Sequence, residues 1–134
     1  MEKLSPSMKD YLRVIYSIYQ LGNRNHVRVQ DISSHMNLAK SSASRAANFL
    51  SQKGLLQKGH YTTIAFTETG KKQAQFIVER QHMIRQFLCH VLDINDKTAQ
   101  KDACNLEHVI SIECYQSICN YMEQLTADCP SRNF

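Results

Sequence analysis

Apolar residues recur every three or four positions along most of this chain of 134 residues, the spacing that gathers them on one side of a helix. Ser5-Pro6 is a helix start, because proline is tolerated at the first helical position. Met8, Tyr11, Leu12, Ile15, Ile18 and Tyr19 then mark one apolar face, ending near Gly22. A polar loop, Asn23-Arg24-Asn25-His26, leads to Val29, Ile32 and Met36, the stripe of a short second helix. Asn37-Leu38-Ala39 connects it to a third helix, marked by Ala43, Ala47 and Leu50 and closed by Gly54. Two short helices joined so tightly form a helix-turn-helix pattern. Leu55-Leu56-Gln57 and Thr62-Thr63-Ile64-Ala65-Phe66 break the helical period and predict two short strands. They flank a hairpin tip, Lys58-Gly59-His60-Tyr61, and a hairpin directly after such a helix pair is a wing.

Helical spacing returns from Thr67 onward. Thr67 can cap a long helix carrying Ala74, Ile77, Ile84, Phe87, Leu88 and Val91. Leu92 to Asp96 reads as a turn with Asn95 as the next cap, and Ala99, Ala103, Leu106 and Ile110 predict the core stripe of the following helix. Tyr115, Ile118, Cys119, Met122 and Leu125 mark a last helix, with fraying expected from Asp128 and Pro130 onward. Three helices of this size cannot bury their apolar faces alone, so a homodimer is expected. The expected fold class is mainly α: a winged helix-turn-helix DNA-binding domain at residues 1–72, followed by an all-helical dimerisation domain at 73–134.

Charge sharpens this division. Residues 1–72 hold 11 Lys/Arg against 4 Asp/Glu, a balance of +7, whereas residues 73–134 hold 5 against 8, a balance of −3. Such asymmetry points the first half toward a polyanion. The third helix opens with Lys40-Ser41-Ser42-Ala43-Ser44-Arg45, small hydroxyls and two cations at a helix start. Backbone N–H groups and the hydroxyls of Ser41, Ser42 and Ser44 can meet phosphate, one of the serines serving as the cap, while Arg45 can reach phosphate or a guanine edge. Lys58 and His60 at the wing tip, and Arg28 at the entry to the helix pair, add sequence-independent contacts. The expected partner is double-stranded DNA, with two recognition helices of a dimer reading half-sites about one helical turn apart.

Composition excludes other classes. Hydrophobic content of 43% and charged content of 21% are globular values, and no segment approaches the ~20 apolar residues of a membrane span. The N-terminus lacks a secretory pattern, so a cytoplasmic location is expected. The five cysteines, Cys89, Cys104, Cys114, Cys119 and Cys129, are odd in number and contain no C-x-x-C pair, which argues against a disulfide framework or a structural zinc knuckle.

Cys104-Asn105-Leu106-Glu107-His108 carries the candidate chemistry. On a helix Cys104, Glu107 and His108 project from one face, centred roughly 120° from the expected core stripe. Thiolate, carboxylate and imidazole are transition-metal ligands. A solvated polar face that happens to carry a cysteine is the competing reading. Use of Cys104 and His108 as nucleophile and base is a poor third, because residues four apart on one helix run side by side and no orienting group or oxyanion loop is evident.

In order along almost its whole length, the chain resembles the metal-dependent transcriptional repressors of the diphtheria toxin repressor and manganese transport regulator family. The resemblance rests on Ser7-Met8-Lys9-Asp10-Tyr11-Leu12, Val27-Arg28-Val29-Gln30-Asp31-Ile32, Phe66-Thr67-Glu68-Thr69-Gly70 and Asp102-Ala103-Cys104-Asn105-Leu106-Glu107-His108-Val109-Ile110-Ser111. It is closest to the short, two-domain branch that lacks an SH3-like domain. The resemblance implies a metal site made by Asp10 of the first helix with Cys104, Glu107 and His108. It also implies that metal ties the first helix to the metal-binding and dimerisation domain and favours the DNA-binding arrangement.

Departures from the family pattern narrow that expectation. Arg13 stands where a second acidic residue is common, and Gln81 stands where relatives with a second site have a histidine, with His82 one residue, or ~100°, away. Arg85 and Gln100 replace the remaining candidates, so one site per chain is expected, with Arg13 or Arg85 supplying positive charge in place of a metal at the second site. A thiolate favours later ions than an all-carboxylate set, and analogy with the family points to Fe(II) first and Mn(II) second. The alternative from these residues is a metal-independent winged-helix regulator, or one that senses redox state through Cys104.

Overall fold

A computed structural model describes residues 4–22, 26–60 and 62–128. Its elements run α1 (Pro6–Gly22), β1 (Val27–Arg28), α2 (Val29–Met36), α3 (Lys40–Gln52), β2 (Leu56–Lys58), β3 (Thr63–Phe66), α4 (Glu68–His90), α5 (Asp96–Val109) and α6 (Ile112–Asp128). Asn23 to Asn25 of the expected loop, Tyr61 of the expected tip and residues 129–134 of the expected frayed tail lie outside the described residues. The chain divides into two compact units, Met1–Phe76 and Ile77–Phe134. That division and the domain boundary expected at 72/73 both fall inside α4.

In the first unit Ser5 starts α1, its Oγ accepting the Met8 N–H at 3.3 Å. Leu12, Ile15, Ile32, Leu50 and Ile64 are fully buried and draw on α1, α2, α3 and β3. At roughly 2 kcal/mol for each such side chain, this core and not helix propensity holds the eight residues of α2 in place, since an isolated helix of that length is unstable. Asn37 turns the chain between α2 and α3 in the left-handed region at φ 54°, where asparagine is tolerated, and its N–H bonds back to the carbonyls of Ser33 and Ser34. The helix pair and the wing therefore form as expected.

The sheet is larger than expected. β3 lies between β2 and a third strand, β1, in an antiparallel sheet of order β1-β3-β2, with Val27 opposite Ile64 and Leu56 opposite Phe66. Two residues are too few to show an alternating pattern, so β1 exists only through its pairing. The serines of α3 also differ from expectation. Ala39 is the N-cap residue, no side chain caps the helix, and Ser41 and Ser44 stand exposed.

Thr67 and Gly70 join the wing to α4. Thr67 Oγ1 accepts the Gly70 N–H at 3.0 Å and donates to the Gly54 carbonyl at 2.6 Å. A Cβ on Gly70 would sit 1.8 Å from the Leu55 carbonyl oxygen, so only glycine lets α4 approach the wing this closely.

The second unit is helical. Ile84 and Leu88 of α4 pack with Ala99 and Ala103 of α5, and Phe87, Ile110 and Tyr115 close around them. Asn95 caps α5 as expected, its side chain accepting the Thr98 N–H at 2.9 Å, and Ser111 Oγ accepts the Cys114 N–H at 3.0 Å to start α6.

Candidate metal centre and nucleic-acid interface

The buried line of α5 corrects the expected stripe. Ala99, Ala103 and Glu107 are buried, whereas Leu106 is 37% exposed. Steps of four residues drift by about 40°, so the buried arc is rotated toward Glu107 and the ligand-bearing side is not a solvated face. Periodicity ranks leucine above glutamate for a core position. Here the small Ala99 and Ala103 bring α5 close to α4 and carry the carboxylate inward with them.

Glu107 is 2% exposed, and His108 Nδ1 lies 3.2 Å from its Oε2. Arg80 Nε of α4 lies 3.7 Å from Glu107 Oε1, and the Arg80 side chain is itself only 9% exposed. The guanidinium carbon sits 4.7 Å from the centroid of the Tyr115 ring on α6. Burial, followed by the hydrogen bond with Cys119, pushes the Tyr115 hydroxyl from 10.0 up to about 12, while Arg80 acts in the opposite direction. The next residue of α4, Gln81, donates from Nε2 to Cys104 Sγ at 3.8 Å. A thiol, a carboxylate and an imidazole thus share one largely buried helix face, a donor set that fits a divalent transition ion.

Sequence reasoning missed Arg80, although a signal was present. Ala74, Ile77, Arg80, Ile84 and Leu88 follow helical spacing, which puts a cation inside an apolar stripe. Of the two cations expected at the place of the second site, Arg85 is bound through Nε and Nη2 to Asp96 Oδ1, the former at 2.9 Å, and Arg13 is a residue of α1. His82 is exposed beside Gln86, whose Nε2 lies 3.4 Å from His82 Nε2, and Gln100 is exposed. Asp10 is half-buried on α1 in the first unit.

The basic candidates all belong to the first unit. α3 buries Ala43, Ala46, Ala47 and Leu50 and thereby leaves Lys40, Ser41, Ser44 and Arg45 exposed, with Ser42 half-buried. Arg45 Nε donates back to the Ser41 carbonyl at 3.4 Å, holding the guanidinium along the outer face. Arg28 ends β1, Lys58 ends β2 and His60 lies in the tip, all three exposed. The tip is tied by the Gly59 N–H to the Thr63 carbonyl at 2.8 Å and by Thr63 Oγ1 to the His60 carbonyl at 2.6 Å.

Comparison with known proteins agrees with both halves of this architecture. Residues 3–64 match the family described as "Iron dependent repressor, N-terminal DNA binding domain", and residues 67–133 match "Iron dependent repressor, metal binding and dimerisation domain". An uncharacterized HTH-type transcriptional regulator of Methanocaldococcus jannaschii is 31% identical over 121 residues, covering 90% of this chain and 96% of that one. The HTH-type transcriptional regulator MntR of Lysinibacillus sphaericus is 27% identical over 107 residues, covering 80% and 75%. The manganese regulator SloR superposes with a TM-score of 0.75 at 20% identity, over 90% of this chain and 55% of that one, a likeness of fold. The chain spans about half the length of SloR and of the Thermoplasma acidophilum IdeR structure, which it also resembles. With DNA-binding and metal-binding families together matching nearly all of its residues, the chain belongs to the iron-dependent repressor family and is a metal-responsive transcriptional repressor, not an enzyme.

Proposed function

We propose that this repressor binds operator DNA as a homodimer when one Fe(II) or Mn(II) per chain is held by Cys104, Glu107 and His108 together with Asp10. The observation that carries the reading is the gathering of a thiol, a carboxylate and an imidazole on one largely buried face of α5, with Glu107 2% exposed. Those three donors are the ones a divalent transition ion prefers, and Arg80 alone leaves the thiol and the imidazole unexplained. When bound, a divalent ion supplies two positive charges against the thiolate and the carboxylate. Asp10 enters through the family resemblance of its surroundings on α1. The thiolate of Cys104 and the family's own description favour Fe(II) over Mn(II).

Arg45, Ser41, Ser42, Ser44 and Lys40 are the proposed groove-reading and phosphate-contacting residues of α3, with Arg28, Lys58 and His60 on the backbone beside it. Dimerisation uses the apolar surface left open at the α5–α6 junction, where Leu106, Val109 and Ile112 are exposed, Val109 by 78%. Among the described residues no helix is long and apolar enough to cross a membrane, and operator binding calls for the cytoplasm.

The test is a DNA-binding titration with Fe(II), Mn(II) and Zn(II), run on wild type and on Cys104→Ala/His108→Ala. Metal tightens binding of wild type and leaves the double variant unchanged. Equal affinity with and without every metal sinks the metal-responsive site and favours a metal-independent or thiol-based regulator. Arg45→Ala lowers DNA affinity and reduces the salt slope by about one unit if it meets phosphate.

A further inference from the structure

Arg80 stands in this centre, and no ligand role explains it. A guanidinium has five donors and no acceptor, so it cannot bind a cation. Yet it sits in the apolar stripe of α4, only 9% exposed, with Glu107 Oε1 at 3.7 Å from its Nε. The ring of Tyr115 lies under the guanidinium at 4.7 Å and stabilises the charge from the other side. The neighbouring Gln81 reaches Cys104 Sγ at 3.8 Å, so α4 brings one full positive charge and one amide donor to the ligand face of α5.

Two consequences follow from charge alone. In the metal-free protein Glu107 is buried against a fixed positive charge, Arg80 Nε lying 3.7 Å from its Oε1. An incoming divalent ion then meets a fixed positive charge within a few ångströms, in surroundings that screen poorly. We propose that Arg80 is an internal competitor cation that sets the metal concentration at which the centre fills, by holding Glu107 in the metal-free state and opposing the divalent charge in the bound state. It is a positioning and threshold residue, not a ligand. The inference rests on the metal centre proposed above at Cys104, Glu107 and His108.

The test measures Mn(II) binding to the intact chain by competition with a fluorescent chelator at neutral pH, for wild type, Arg80→Met, Arg80→Gln and Arg80→Lys. Arg80→Met removes the charge that faces Glu107. Arg80→Gln keeps a donor for Glu107 without the charge, which preserves the comparison if the methionine variant does not fold. Both neutral variants bind Mn(II) about tenfold more tightly than wild type while their metal-free forms melt at lower temperature, and Arg80→Lys stays within about threefold of wild type. A merely structural arginine gives the opposite sign, because a loosened site binds metal more weakly. Neutral variants that bind Mn(II) as wild type does, or less tightly, overturn the proposal. A wild-type chain that binds neither Mn(II), Fe(II) nor Co(II) overturns instead the metal centre on which it rests.

Discussion

Removing the charge of Glu107 while keeping its shape isolates what the buried ion pair does for the metal-free fold. Glu107→Gln leaves Arg80 with the Tyr115 ring but without its carboxylate. At 3.7 Å and an effective dielectric of about 20, the lost attraction is about 4–5 kcal/mol in gross terms. The ring at 4.7 Å retains about 1 kcal/mol of stabilisation for the guanidinium, and the glutamine carbonyl recovers a weak hydrogen bond. The expected net loss is about 3 kcal/mol, in the range typical of a broken buried pair. Urea unfolding of the metal-free protein, with chelator present, reads this as a midpoint lower by about 1–2 M. The double variant Glu107→Leu/Arg80→Met removes both charges and should regain most of the loss, since apolar replacement of a whole buried pair is often neutral. A loss below about 1 kcal/mol in Glu107→Gln, or a double variant no more stable than the single one, refutes the pairing.

Gly70→Ala places a methyl group against the Leu55 carbonyl and should cost at least about 2 kcal/mol in chemical denaturation, since backbone on both sides leaves nothing soft to move; full stability in that variant contradicts the close approach of α4 to the wing. Gln81→Leu removes the N–H that reaches Cys104 Sγ. In Co(II)-loaded protein its thiolate charge-transfer band should move to longer wavelength, and metal affinity should fall by about tenfold; an unmoved band means that the amide does not act on the sulfur. Tyr115, raised to about 12 chiefly by burial, keeps its proton in the folded chain after an unfolded chain has lost it. Folded protein then binds the extra proton, so this group's contribution to stability is intact below pH 10 and is lost as pH rises toward 12. Absorbance titration at phenolate wavelengths should show one late-titrating tyrosine that disappears in Tyr115→Phe, and a titration in which Tyr115→Phe removes an early step counts against this reading.

Much of the first unit was legible because its signals are local. Spacing of Tyr11, Leu12 and Ile15, the hairpin around Gly59 and the cap at Thr67 each depend on a few neighbouring residues, as does the Asn95 cap in the second unit. The types and spacing of Cys104, Glu107 and His108, and the split of charge between halves, likewise belong to the chain itself. Tertiary structure alone decided the rest. β1 exists only because β3 offers it an edge, and no two-residue pattern announces that. Whether the ligand side of α5 faces water or the interior depended on how far Ala99 and Ala103 let that helix turn against α4, which an averaged period of 3.6 residues leaves open by tens of degrees. Arg80 and Glu107 lie 27 positions apart, and their pairing arises from the packing of three helices. Sequence determined which donor groups α5 carries; packing determined that Glu107 is buried and which cation meets it, because burial and charge pairing are set by neighbours distant along the chain.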